Sequence, residues 1–117
     1  MTDIIRKESN ARMSRIVVHG NTVYIAGVTS RAADDIATQT RDVLSKIDEY
    51  LAAAGTDKSR LLQAQIWLKN IDRDFEGMNA VWGAWADPAN MPTRATCEAK
   101  LAAPELLVEI IVTAALR

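Results

Sequence analysis

An α+β fold, with two helices laid on one face of a mixed β-sheet, is what this 117-residue sequence predicts. Three observations carry the prediction. Runs of strand-forming residues come in pairs at both ends of the chain, two stretches in the middle repeat apolar residues every three or four positions, and one alternating run stands between those stretches. The order is hairpin, helix, strand, helix, hairpin (ββαβαββ), a single two-layer domain over residues 1–117.

Residues 4–8 read as a short edge strand, which Ser9-Asn10 breaks. Residues 13–18 and 22–26 are rich in β-formers and flank His19-Gly20-Asn21, and a Gly-Asn pair at that spacing marks a hairpin turn. Thr29 and Ser30 offer N-caps for the first helix, with Asp34 and Asp35 in or near its first turn, where carboxylates complement the helix dipole. Ile36, Val43, Leu44, Ile47 and Leu51 make its apolar stripe, while Arg41, Lys46, Asp48 and Glu49 lie elsewhere on the cylinder. The helix runs to Ala54, and Gly55 stops it. Leu62, Ala64, Ile66 and Leu68 then alternate with Gln63, Gln65 and Trp67, the period of a strand. Strand, helix and strand in this order imply a right-handed crossover if the strands are parallel. Asp72 or Asp74 caps the second helix, whose Phe75, Met78, Val81, Trp82 and Trp85 keep the helical period until Asp87-Pro88 ends it.

The last quarter of the chain carries an unusual pattern. After Pro92-Thr93, the residues Ala95, Cys97, Ala99 and Leu101 are apolar, whereas Arg94, Thr96, Glu98 and Lys100 are polar. Over 106–116 every even position is apolar, and Glu109 interrupts the run from the odd set. With Ala102-Ala103-Pro104-Glu105 as the turn of an antiparallel hairpin, the two apolar faces coincide, and Arg94 and Glu109 share the face away from the helices. That face also collects Gln63, Gln65, Trp67, Leu107, Ile111 and Thr113, a partly apolar surface of the kind that marks association, so a homo-oligomer is expected.

Composition removes several classes of function. With 14 Lys and Arg against 15 Asp and Glu, the chain has no electrostatic footprint for nucleic acid and no polybasic patch for a membrane. The single Cys97 excludes an intrachain disulfide and a cysteine zinc cage, and the lone His19 leaves too few soft ligands for a transition metal. Residues 1–6 lack the apolar core of a signal peptide and no run is long enough to span a bilayer, which makes the cytoplasm the expected location. Cys97 reads as a small core residue, His19 as an exposed turn residue, and Trp67, Trp82 and Trp85 as packing groups, since no basic stripe accompanies them.

Pro92-Thr93-Arg94 followed by Val108-Glu109-Ile110 looks like the Pro-Ala-Arg and the strand glutamate of the reactive intermediate deaminase family, also called Rid or YjgF. Tyr24-Ile25-Ala26-Gly27, Gln39-Thr40, Ala53-Ala54-Gly55, and Asp74-Phe75 with Asn79 extend the resemblance over nearly the whole chain. The resemblance implies a chorismate-mutase-like fold and a homotrimer whose sheets form a central barrel, with ligand sites in the clefts between subunits. The activity it implies is hydrolysis of 2-imino acids, enamine tautomers included, to 2-keto acids and ammonia, without a metal or organic cofactor.

Such a substrate presents a carboxylate beside an electrophilic carbon. Arg94 supplies a planar fork that holds a carboxylate through two parallel hydrogen bonds, as lysine does not. Glu109 is the candidate catalytic group, able to orient or activate water or to shuttle a proton to the leaving nitrogen. Gly27, lacking a side chain, permits close approach of backbone to substrate. By resemblance, the main chain near Thr96 and the Asn79 region complete the pocket.

The chain also departs from the family pattern. Ala11-Arg12-Met13-Ser14 stands where the best-studied branch has Gly-Pro-Tyr-Ser, and Ala26-Gly27 replaces Ser-Gly, so an aromatic wall and two hydroxyls are lost. Those losses motivate an alternative: a non-catalytic trimer that binds a small carboxylate or regulates a partner. An Arg94–Glu109 ion pair at a subunit interface is the structural counterpart of both readings. The ribonuclease activity historically ascribed to the family fits least, because phosphodiester binding usually brings positive charge and the net charge here is −1.

Overall fold

The computed structural model describes residues 2–117 and orders them as β1 (Ile4–Ser9), β2 (Ser14–His19), β3 (Thr22–Val28), α1 (Ile36–Ala54), β4 (Leu61–Leu68), α2 (Ile71–Trp85), β5 (Thr93–Glu98) and β6 (Val108–Ala115). A short 3-10 turn, Lys58–Arg60, leads into β4. Counting the edge strand, the full order is βββαβαββ. All six strands join one mixed sheet in the order β1-β2-β3-β6-β4-β5, and both helices pack on the same face of it. Among the described residues, no helix is long and apolar enough to cross a membrane.

Local chemistry accounts for most element boundaries. The β2–β3 turn falls on Gly20-Asn21, with His19 paired to Thr22, and Gly20 supplies the positive φ of 61° that a tight turn needs. Asp35, rather than Thr29 or Ser30, caps α1, its carboxylate accepting from the Thr38 amide at 2.8 Å. Asp34 therefore lies outside the first turn, and Ser30 is buried with its hydroxyl donating to Asp42. Gly55 ends α1 in the left-handed region at φ 89°, its amide donating to the Ala52 carbonyl. Asn70 caps α2, accepting from the Arg73 amide at 3.1 Å, so the two aspartates expected to cap it, Asp72 and Asp74, sit in the first turn instead.

One apolar layer, including Ile16, Val23, Ile47, Leu51, Ile66 and Ile110, fills the space between helices and sheet. Its one long polar member is Gln39, fully buried and satisfied on both sides of its amide. Nε2 donates to the Ala33 and Glu105 carbonyls and Oε1 accepts from the Leu107 amide. In β4 the expected alternation holds from Ala64 onward, but a register shift between Leu61 and Gln63 puts Leu61 in the core and leaves Leu62 49% exposed.

The closing hairpin does not form. β6 inserts between β3 and β4, antiparallel to both, while β5 pairs parallel to β4 at the edge of the sheet. Each helix links two parallel strands: α1 joins β3 to β4 across the inserted β6, and α2 joins β4 directly to β5. The burial of the strands explains the choice. β6 alternates buried and half-buried residues along its length and needs a neighbour on each side, whereas β5 is exposed at every residue except the half-buried Thr96. Cys97 is accordingly exposed on β5 and not a core residue. Leu107, expected on the helix-free face of the last strand, is buried in the segment before β6 and is not part of that strand.

Candidate functional site

The predicted site residues fall into two groups on opposite faces of the sheet. On β5, Arg94 pairs in register with Ala64, Thr96 with Ile66 and Glu98 with Leu68, and partners in register project to the same side. Ala64, Ile66 and Leu68 belong to the core, so the polar set of β5 points toward α2. Two contacts fix this arrangement: Glu98 accepts from the Ile71 amide at the start of α2 at 3.1 Å, and the Arg94 Cζ lies 5.7 Å from the ring centroid of Trp82 near its end. Asn79 is on the same helix, one turn before Trp82.

Two oxygens in this group, Asn79 Oδ1 and Thr96 Oγ1, are buried and have no hydrogen-bond partner in the protein. Buried polar atoms are nearly always paired, so each unpaired one calls for a partner such as water or a ligand. The Arg94 guanidinium has no carboxylate within ion-pair distance among the described residues. Partial burial lowers its pKa by desolvation, yet an arginine keeps its charge across the physiological range.

The second group lies on the helix-free face. Glu109 pairs with Trp67 and is half-buried, with Trp67, Ile111 and Thr113 around it on the same side of β4 and β6. Opposite it, a register shift between Ile25 and Val28 makes a bulge in β3 that contains Gly27. The Glu109 carboxylate occupies the space a side chain at Gly27 would take: an added Cβ would meet its Oε2 head-on and stand only 3.0 Å from its Cδ. Gly27 thus makes room for the carboxylate itself. Arg15 of β2 secures the bulge, its Nη1 donating to the Gly27 carbonyl at 3.0 Å.

Arg94 and Glu109 therefore do not share a face, contrary to the expectation from strand parity. Parity puts them together only if β5 and β6 pair with each other, and β4 stands between them. The two strands are about 10 Å apart across that gap, at ~4.8 Å per strand spacing, and the two side chains project to opposite sides. Arg94, Thr96 and Asn79 are brought to one side, Gly27 and Glu109 to the other. Met13, which replaces the aromatic wall, is 40% exposed in the bend before β2. A groove of about 430 Å³ between the helices, lined by Arg41, Asp48, Lys58 and Trp85 among others, includes none of these residues. Among the described residues, no three His, Cys, Asp or Glu side chains converge as a metal cage requires.

Two residues at these groups were not singled out from the sequence. Arg15 was legible in principle, because Ile16 and Val18 face the core and its parity puts it on the other side with Gly27. The helical period of Trp82 shows that it is buried and not what its ring faces.

The chain matches the family model described as Endoribonuclease L-PSP over residues 5–116. It is 43% identical to a RutC family protein of Haemophilus ducreyi over 114 residues, covering 97% of each chain. It is 39% identical to the RutC family protein YoaB of Escherichia coli over 112 residues, covering 96% of this chain and 97% of that one. Among solved structures, a YjgF-family protein of Neisseria meningitidis superposes with a TM-score of 0.96 at 39% identity, covering 98% of this chain and 96% of the other.

Proposed function

The chain belongs to the endoribonuclease L-PSP family, the YjgF/RutC/Rid group, and from that premise we propose that it hydrolyses reactive 2-imino acids and their enamine tautomers to 2-keto acids and ammonia. In this reading it works in the cytoplasm as a homotrimer, with sites in the clefts between subunits and with no metal or organic cofactor. The observation that supports it best is the division of the site residues. A guanidinium with no carboxylate partner among the described residues lies on the α2 side of the edge strand with the unpartnered Thr96 and Asn79 oxygens, and a carboxylate seated on a glycine bulge lies on the opposite face. A site that uses both Arg94 and Glu109 takes one from each of two copies.

Arg94 receives the substrate carboxylate through its fork, and the Thr96 hydroxyl donates to the same end of the molecule, with Asn79 lining the pocket beside it. The imine carbon then lies toward Glu109 of the facing subunit. Water adds to that carbon as Glu109 takes its proton and passes it to the nitrogen, giving a carbinolamine and returning Glu109 to its carboxylate form. Glu109 relays the hydroxyl proton to nitrogen, the C–N bond breaks, the C=O bond forms and ammonia leaves. Gly27 leaves the carboxylate unobstructed throughout.

The test generates 2-iminopropanoate with an amino-acid oxidase and follows its decay. Wild type accelerates decay, and Arg94→Ala loses at least about tenfold, as expected for removal of a charged bidentate contact worth ~2–4 kcal/mol. No acceleration by wild type, or equal acceleration by Arg94→Ala, overturns the reading. Co-expressing Arg94→Ala and Glu109→Gln subunits recovers part of the activity, because some hybrid clefts join an intact Arg94 to an intact Glu109. No recovery overturns the shared cleft.

A non-catalytic carboxylate-binding or regulatory trimer is favoured by one specific observation, the exposed Met13 and the Ala26 methyl where hydroxyl-bearing residues were expected. Calorimetry that finds tight keto-acid binding without turnover selects it. The ribonuclease activity in the family's description finds less support in a chain of net charge −1.

A further inference from the structure

We propose that Trp82 is a positioning residue for Arg94, its indole face holding the guanidinium plane in the orientation that receives a carboxylate. The inference rests on the carboxylate reading of Arg94 and adds to it the group that aims the fork. A separation of 5.7 Å between the Arg94 Cζ and the Trp82 ring centroid is within cation–π range. A carboxylate partner would orient a guanidinium by occupying its N–H donors. A ring face attracts the same charge and leaves those donors available to substrate.

The indole is itself held. Trp82 is 6% exposed, and its ring lies 5.4 Å from that of Trp85 at an interplanar angle of 51°. Trp85 Nε1 in turn donates to Asp48 on α1 at 2.9 Å. The direction of Arg94, a long side chain on an exposed edge strand, is thereby tied through two rings to the helix layer. A fork aimed in advance loses less rotamer freedom when a ligand arrives.

The experiment joins the Arg94 Nε–H resonance in ¹⁵N-labelled protein to pyruvate affinity measured by titration. In wild type the resonance carries a ring-current shift that Trp82→Leu abolishes. Trp82→Leu raises the pyruvate Kd about two- to fivefold, the range a cation–π contact supports, and Trp82→Phe stays within about twofold of wild type. On an Arg94→Ala background Trp82→Leu has no further effect. The same factor on that background marks a general packing defect and overturns the inference, as does a Phe variant no better than Leu. Should Trp82→Leu not fold, Trp82→Phe and Trp85→Phe make the comparison, with Trp85→Phe shifting the Arg94 resonance through Trp82. Failure of the underlying reading looks different. Wild type then binds no pyruvate at all, while binding that needs Arg94 but ignores Trp82 leaves the reading standing and removes the inference alone.

Discussion

Gly27→Ala separates stability from turnover, because what the new methyl meets is the tip of a flexible side chain. The φ of Gly27 lies outside the left-handed region, so alanine brings no backbone strain. Losing glycine's freedom in the unfolded chain contributes ~0.4–1 kcal/mol of stabilisation, against a rotamer change at Glu109 of similar size. The unfolding midpoint should stay within about 4 °C of wild type. The Glu109 carboxylate, however, cannot stay in place. Its Cδ, 3.0 Å from the new Cβ, must retreat to at least the 3.4 Å of ordinary contact, and Oε2, which meets the methyl head-on, must move farther. A displacement on the order of 1 Å at a catalytic group costs about 10²-fold in rate. If Glu109 is the catalytic group and Arg94 the carboxylate clamp, the imine assay should show kcat reduced by roughly that factor, while keto-acid affinity changes less than about twofold. Unchanged kcat would show that Glu109 needs no fixed position, and a midpoint lowered by more than about 8 °C would show that the bulge, not the carboxylate, governs the effect.

Other consequences are open to measurement. Gln39→Leu strips partners from the Ala33 and Glu105 carbonyls and the buried Leu107 amide, and should cost about 2–4 kcal/mol in chemical denaturation, whereas a change below ~1 kcal/mol would mean that water replaces the amide. The Asp42 pKa is lowered, first by the Ser30 hydroxyl and then by Lys46, whose Nζ is 3.3 Å away. Its stabilising contribution is therefore present above the ordinary carboxylate range near pH ~4 and lost as pH falls through the lowered value, so Asp42→Asn should flatten the acid side of a midpoint-versus-pH curve. Cys97 is exposed in the single subunit on the same face as Trp67. If that face is shared between copies, a thiol reagent should react slowly at micromolar protein and faster on dilution, and a rate independent of concentration would count against the assembly.

Some of this structure was readable because local chemistry decides it. The Gly20-Asn21 turn, the apolar stripe of α1 and its end at Gly55 follow from φ preferences and period alone. The caps lie elsewhere than expected for a common reason: several Ser, Thr, Asn and Asp side chains cluster around the start of each helix, and the one that caps is chosen by where the chain enters, as Asp35 and Asn70 show. The fate of β5 was less legible still. Adjacency in sequence favoured a hairpin with β6, but nothing local reports that β6 is needed between β3 and β4. On an exposed edge strand, alternation shows that two faces differ without showing which is covered. Here the polar set of Arg94, Thr96 and Glu98 faces α2, where the Ile71 amide and the Trp82 ring receive it. One wrong pairing thus carried Cys97 into the core and Arg94 onto the face of Glu109.

The insertion of β6 also bears on how the molecule is made. Residues 108–115 join β3 to β4, two strands synthesised long before them, and until they leave the ribosome the sheet consists of two parts with bare edges facing one another. Pairings such as Thr22 with Ala115 close nearly the full length of the chain at once, the kind of contact that slows folding. A nascent chain paused before Val108 would expose two adhesive edges to its neighbours on the same messenger, so the interval before this strand emerges is when aggregation competes most strongly with folding.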